Sequence, residues 1–236
     1  MKFRAFCIVA LSILCACQAP QMIDMRGRTN QNFVDELTSK NSPNSVIQIM
    51  SGGGNINAAY LASKNIIENN NKVLIYGHCF SSCAEYFLGA ASEVTFLDRP
   101  IVGFHWNTLM NMEQMERNGG DLSNCDLTSV AQQREIYEHK NLNTDFWKET
   151  EKRLNLTYFE VIENPDGCPF KKRVFENYMW FPTSMQLGNL LNLKFKGGVC
   201  SDSPKICQRR IDRRWKSGTR VIIGDDLYVS KGWQWN

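Results

Sequence analysis

Apolar residues recur along this 236-residue chain in two alternating rhythms. Compact β-prone runs at residues 45–50 ("SVIQIM") and 72–77 ("KVLIYG") each end at a turn, and each turn leads into a stretch with helical character. After the first turn, "SGGGN", the residues Ile56, Ala59, Tyr60, Ser63 and Ile67 share one helical face. After the second, "GHCFSS", comes "CAEYFLGAA", followed by two short strand-like runs, "EVTFL" and "IVGFH". Upstream, "MIDMRG" reads as a short strand and "NFVDELTS" as a helix with Phe33, Val34 and Leu37 inward. Apolar strands alternating with helices predict an α/β domain whose sheet is mostly parallel and covered by helices.

Between residues 106 and 178 the pattern changes to polar helices such as "LTSVAQQREIYEHKNLNTDFWKETEKRL", with Val130, Ile136, Tyr137, Phe146 and Trp147 as inward anchors. This reads as a helical excursion. In "FPTSMQLGNLLNLKFKGG", Thr183 and Gln186 fit a capping box at a helix start, and the segment then returns to a strand or turn. Past Cys200, "KICQRRIDRRWKSGTR" holds seven basic residues against one acid. It reads as a solvated basic face over Trp215, with contact to anionic lipid or another acidic envelope surface as the functional alternative. "TRVIIGDDLYVSKGWQW" reads as a hairpin with "GDD" at its turn and Trp233 and Trp235 on one face.

The first residues change how the rest is read. Lys2 and Arg4 precede an apolar or small-residue run over 5–16, too short to span a bilayer but suited to a secretion signal. "LCAC" at its end resembles a bacterial lipobox, which would lipidate Cys17, and Gln18 after it would allow sorting to the outer membrane. The expected organisation is a signal peptide over 1–16, an α/β domain over 18–199 with an insertion at about 107–176, and a basic disulfide-linked C-terminal extension over 200–236. The expected location is the periplasmic side of a bacterial envelope, reached through a lipid anchor. Losing Lys2 and Arg4 takes the formal charge from +3 to about +1, too little field to favour nucleic acid as a partner. Of nine cysteines, Cys7 and Cys15 leave with the signal and Cys17 is lipidated. Cys79, Cys83, Cys125, Cys168, Cys200 and Cys207 remain, an even set that in an exported chain reads as disulfides.

Candidate chemistry gathers at the turns. "SGGGN" follows a strand and opens a helix, so its amides could face an anion or a developing oxyanion, or form only a tight turn. It lacks the Lys-Ser/Thr of a phosphate-binding loop. "GHCFSSC" puts serine at the equivalent strand-to-helix position, and a serine hydroxyl needs a base to become a nucleophile. His105, ending "IVGFH", has a strand-terminal setting, whereas His139 sits in a charged helix and reads as surface.

On these residues the chain resembles the ClpP/crotonase superfamily, especially exported bacterial relatives of the ClpP proteolytic subunit. "SGGGN" resembles the family's Ser-Pro-Gly-Gly turn with Gly52 in place of proline, "GHCFSSC" its nucleophile turn, and "IVGFHW" its histidine-bearing strand. The resemblance covers roughly 22–108 and 176–198 and implies a ββα spiral core carrying the helical insertion and a small C-terminal β extension. It implies Ser81 as nucleophile, His105 as base, and the Gly53 and Ser82 amides as an oxyanion hole. The acid that orients the family's histidine has no match. Asn177 is the nominated third member, with Tyr178 at the same place, Glu176 adjacent, and Asp145 and Asp166 as weaker candidates.

The resemblance thus implies an envelope-anchored serine hydrolase acting on a peptide or protein, with no cofactor or metal and with homo-oligomers a possibility. The alternative is a catalytically inactive lipoprotein of the same fold that binds a peptide or protein partner. Acyl-thioester chemistry is disfavoured because coenzyme A substrates are not expected outside the cytoplasm. Zinc at Cys79 and Cys83 with His78 and His105 is the alternative to disulfides, which export favours. Proximity in sequence pairs Cys79 with Cys83 and Cys200 with Cys207, leaving Cys125 for Cys168. Mass spectrometry of the processed chain should show a diacyl or triacyl increment that Cys17→Ala abolishes, and an unshifted mass would reject the anchor.

Overall fold

β-branched residues fill the strands at the centre of the molecule, where the pleated surface suits them. In the computed structural model, which describes residues 20–105, 124–162 and 170–232, Ile47 and Ile49 of β2 (Val46–Ser51) and Val73 and Ile75 of β3 (Lys72–Phe80) are fully buried. With β1 (Met22–Arg26), β4 (Glu93–Phe96) and β9 (Phe195–Lys196) they form a parallel sheet in the order β1-β2-β3-β4-β9, and β5 (Ile101–Gly103) pairs with β3. The architecture is mixed α/β with a mostly parallel main sheet.

The connections are helices with asparagine at their starts. α1 (Gln31–Lys40) is capped by Asn30, which accepts from the Phe33 amide at 3.0 Å, and buries Phe33, Val34 and Leu37. α2 (Ile56–Glu68) is capped by Asn55, which accepts from the Ala58 amide at 2.9 Å. Each cap satisfies an amide that would otherwise lack a partner.

β3 does two jobs. Its first half pairs with β4 and its last three residues pair with β5, from His78↔Ile101 to Phe80↔Gly103. Between them the register against β2 slips, from Ile49↔Ile75 to Ser51↔Cys79. Gly77 sits in this bulge at φ +61°, and a Cβ there would lie 2.6 Å from the Met50 sulfur. Glycine is the residue that tolerates both, so the strand can bend before its end.

Residues after β5 join a second sheet. Phe104 and Trp180 form an antiparallel bridge, each amide donating to the other's carbonyl at 2.8 Å. β8 (Met179–Phe181) pairs in parallel with β10 (Arg220–Ile223), which turns at Gly224 and Asp225 into antiparallel β11 (Asp226–Val229). The C-terminal segment therefore adds strands beside the site. α7 (Pro204–Asp212) packs Cys207 and Ile211 into a second apolar cluster with Phe80, Ile101, Met179 and Phe181.

The excursion is not wholly helical. α4 (Asn124–His139) and α5 (Phe146–Leu154) are followed by an antiparallel hairpin of β6 (Leu156–Ile162) and β7 (Phe170–Phe175). Asn155 stops α5 in the left-handed region, at φ +54°, and the next residues, "LTYFEVI", are β-branched and aromatic. After β8, α6 (Ser184–Leu191) begins at the expected capping box of Thr183 and Gln186. Cys17, Cys168, Asp166, Trp233 and Trp235 lie outside the described residues, so the pairing of Cys125 with Cys168 is not described. Among the described residues no helix is long and apolar enough to cross a membrane.

An aromatic cluster ties the excursion to the site strands. Phe146 of α5 stands 4.8 Å from Phe104 and 5.0 Å from Trp180 between ring centroids, and all three are fully buried. Phe146→Ala should cost roughly 3–5 kcal/mol in urea unfolding, as large-to-small changes of buried aromatics do. A loss below about 1 kcal/mol would mean that the cavity collapses freely and that α5 is not firmly docked.

Candidate functional site

Two strand-to-helix turns meet at one end of the main sheet. The first runs from Ser51 through Gly52, Gly53 and Gly54 into α2. Thr29 straps it: its amide donates to the Gly53 carbonyl at 3.1 Å, its carbonyl accepts from Asn55 at 2.8 Å, and its hydroxyl is 3.2 Å from that of Ser51. Thr29 and Ser51 are fully buried. The Thr29 carbonyl also occupies the space that a Cβ on Gly54 would need.

The second turn packs against the first. Gly53 has φ +82°, and a Cβ there would come within 2.6 Å of the Phe80 carbonyl and 2.7 Å of the Ser81 Cβ. Only glycine permits this approach. Ser81 itself adopts φ +54°, a left-handed conformation that a non-glycine residue enters at about 1–2 kcal/mol. Its amide donates to the Gly103 carbonyl at 3.0 Å and its carbonyl accepts from Glu85 at 2.9 Å. A disulfide between Cys79 and Cys83, with Cα atoms 5.3 Å apart, brackets the turn. Cys200 and Cys207 form the second disulfide, with a Cα separation of 5.0 Å. After Ser82 the chain winds as a π-helical turn over Cys83–Phe87 and continues into α3 (Leu88–Ala90).

Ser82 contributes more than its backbone. Its buried hydroxyl accepts a hydrogen bond from the Gly54 amide at 2.8 Å and so joins the two turns. Its own amide belongs to the first turn of a helix, where amides lack intrahelical partners. The Gly53 amide, nominated for the oxyanion hole, donates to the Ser51 hydroxyl at 3.1 Å. In this structure that amide is turned inward to its own loop.

Ser81 and His105, both half-buried, line one open cavity of about 620 Å³ together with Gly52, Gly53 and Gly54. Phe80, Tyr178, Met179 and Trp215 also border it. Phe80 and Trp215 rings are 5.3 Å apart, and Tyr178 is 6.4 Å from Trp215. His105 directly follows Phe104, whose bridge to Trp180 ties this segment to β8. His78, also at the cavity, has its pKa lowered to about 4 by burial and by the charge of Arg214, so it is neutral at pH 7.

Asn177 is not brought to this cavity. Its side-chain amide donates to the Arg153 carbonyl at 2.9 Å, and Arg220 reaches its oxygen at 3.5 Å. Glu176 pairs with Arg220 at 2.6 Å, and Asp145 pairs with Lys148 at 2.8 Å. Among the described residues no carboxylate lines the cavity. Glu85 lies near Tyr86 and Tyr137, and burial raises its pKa well above the usual carboxylate range, which favours the neutral acid. No group of three or more His, Cys, Asp or Glu that could hold a metal occurs among the described residues.

The parts played by Thr29, Arg28 and Arg214, and by the Ser51 hydroxyl within its turn, do not follow from the sequence pattern. Ser51 lies in a recognisable motif and Arg28 and Thr29 lie near it, but their use depends on contacts between distant segments. Arg214 was hidden in a basic run whose solvated reading was the simpler one.

No protein-family model matches the chain, and no curated protein does. Among solved structures the chain is similar to the ClpP protease catalytic domain from Plasmodium falciparum, at a TM-score of 0.34 and 14% sequence identity over 51% of this chain. The chain spans 65% of the length of that structure.

The left-handed strain at Ser81 is directly measurable. Ser81→Gly should raise unfolding stability by about 1 kcal/mol, because glycine enters this region freely, partly offset by its greater unfolded-state entropy. Ser81→Val should lower it by more than that, and equal stability of Gly, Ser and Val variants would show the turn to be unstrained.

Proposed function

We propose that this chain is a ClpP-like serine hydrolase of the bacterial envelope, acting on peptide bonds. The observation that carries the reading is Ser81: a serine held in the left-handed region at a strand-to-helix turn, packed against a glycine turn, in the cavity that also contains His105. Strain retained at one residue by a disulfide, two backbone hydrogen bonds and a close backbone contact is strain that the fold maintains for a use.

On this reading the Ser81 oxygen attacks the carbonyl carbon while His105 takes its proton. The carbonyl oxygen gains negative charge and is held by backbone amides, with Ser82 at the helix start the first donor. The Gly53 amide joins by sharing or releasing its bond to the Ser51 hydroxyl. His105 returns the proton to the leaving nitrogen, the C–N bond breaks, and water releases the acyl group by the reverse sequence. Asn177 enters only by moving from Arg153, so the working unit is a Ser-His pair. A pair without a carboxylate to stabilise the imidazolium works more slowly than a full triad.

A second reading is favoured by specific observations: the absence of a cavity carboxylate among the described residues and the inward Gly53 amide. It keeps the fold and the cleft but makes the protein a binder of peptide or protein segments. A fluorophosphonate probe separates the two. The hydrolase reading expects labelling of the full chain that vanishes in Ser81→Ala and falls at least tenfold in His105→Ala. A folded wild-type chain that stays unlabelled would reject the hydrolase reading in favour of the binding one, and a label retained in Ser81→Ala would reject Ser81 as the nucleophile.

A further inference from the structure

We propose that Arg28 and Arg214 form an anion subsite in the Ser81 cavity, selecting polypeptide segments that bring a carboxylate there. The inference deepens the functional reading above by naming the class of segment, but the subsite exists whether or not Ser81 is reactive.

The two arginines come from opposite ends of the chain and border the same cavity. The main chain on either side of the exposed Arg28 is held in place: the Gly27 amide donates to the Met50 carbonyl at 3.0 Å, and the Thr29 amide donates to the Gly53 carbonyl at 3.1 Å. This anchors Arg28 beside the glycine turn. Arg214 follows α7, its amide bonded to the Ile211 carbonyl at 2.9 Å, and its guanidinium lies over the Phe80 ring at 5.3 Å. Partial burial lowers its pKa from the ordinary value, though an arginine remains charged, and its charge reaches His78.

Several other described arginines are engaged within the protein. Arg26 pairs with Asp24 at 2.6 Å, Arg153 pairs with Asp225 at 2.7 Å, and Arg220 pairs with Glu176 at 2.6 Å. Arg210 donates to the carbonyls of Asp98 and Arg99. Arg28 and Arg214 have no carboxylate partner among the described residues, and no carboxylate lines their cavity. The overall charge is close to balanced, so this is a local excess of positive charge in a cleft. A cleft of one sign concentrates ligands of the other, and a guanidinium fork matches the two oxygens of a carboxylate.

The aromatic surroundings narrow the ligand further. Phe80, Tyr178 and Trp215 present rings to the same space, which suits a peptide with apolar residues beside its carboxylate better than a small free ion. An acidic side chain and a free C-terminus both supply that carboxylate.

Fluorescence anisotropy with neutral-dye peptides tests the proposal on the full chain carrying Ser81→Ala, where no turnover can interfere. The probes are Ala-Ala-Phe-Glu-Ala-Ala with an amidated C-terminus, its Gln and Lys counterparts, and the Gln peptide with a free carboxylate. At low salt the Glu peptide should bind about tenfold more tightly than the Gln amide, with Lys no better than Gln. Tighter binding by the Gln free acid than by the Glu amide would support the subsite and assign the carboxylate to a chain end. Arg28→Gln or Arg214→Gln should reduce the preference to about threefold, the double variant should erase it, and Arg209→Gln, in the helix just before Arg214 but outside the cavity, should leave it intact. Carboxylates without advantage over the Gln amide, or a preference that survives the double variant, would overturn the subsite. So would an equal loss in Arg209→Gln, which would assign the effect to the basic face at large. None of these readings depends on fluorophosphonate labelling of Ser81, so this subsite and the hydrolase reading can fail separately.

Discussion

Backbone packed directly on backbone, at Gly53 against Phe80 and Ser81, is the contact on which the site depends. Two parallel strands end level with each other, and the turns that leave them must share the same small volume. A side chain on Gly53 would collide with main-chain atoms that cannot rotate away, so the turns would part and the hydrogen bond from Gly54 to Ser82 would go with them. Thr29 reinforces the arrangement from the far side, satisfying polar groups on the inner side of the loop, where Ser51 and Gly53 are buried. The bulge at Gly77 lets the end of β3 bend into register with β5, and β5 leads to His105. The chemistry of the cleft is therefore set by main-chain geometry before any functional side chain is considered.

The disulfide at this turn fits the same logic. Cys79 and Cys83 are only four residues apart, and closing so short a loop removes little entropy from the unfolded chain compared with a long one. Its effect is local. It limits the conformers open to the intervening residues, among them Ser81 in its unfavourable left-handed state. The same turn buries Glu85 without an ion pair among the described residues, and burial raises its pKa, favouring the neutral carboxyl.

Much of this was legible in the sequence where local pattern and tertiary role coincide. The apolar strands β1 to β5, the helices with Phe33, Val34 and Leu37 or Ala59 and Ile67 on one side, and the capping box at Thr183 all follow from periodicity and end signals that the packing reinforces. The β6/β7 hairpin was not legible, because "FKKRVF" interrupts its apolar alternation with charge and the preceding helices set the expectation. At the site, residue types at turn positions pointed to Ser81, His105 and Gly53, and the cavity does hold all three. What the pattern could not reveal is direction: that Gly53 turns its amide to Ser51, that Ser82 uses its hydroxyl, and that Asn177 faces Arg153. These depend on segments far apart in sequence, and no spacing rule encodes them.

The electrostatics of the cleft connect the two proposals. When His105 takes a proton it becomes a cation in a cavity that already holds two guanidinium groups and, among the described residues, no carboxylate. Like charge opposes that proton transfer, and the effect is felt more strongly in a partly enclosed site than in water. His78 illustrates the direction, its pKa falling to about 4 under burial and the charge of Arg214. A carboxylate carried in by the bound segment would offset the guanidinium charge at the moment when the imidazolium forms. Recognition of an acidic segment and activation of Ser81 would then be one electrostatic event, with the ligand supplying the negative charge that the cavity's own side chains lack.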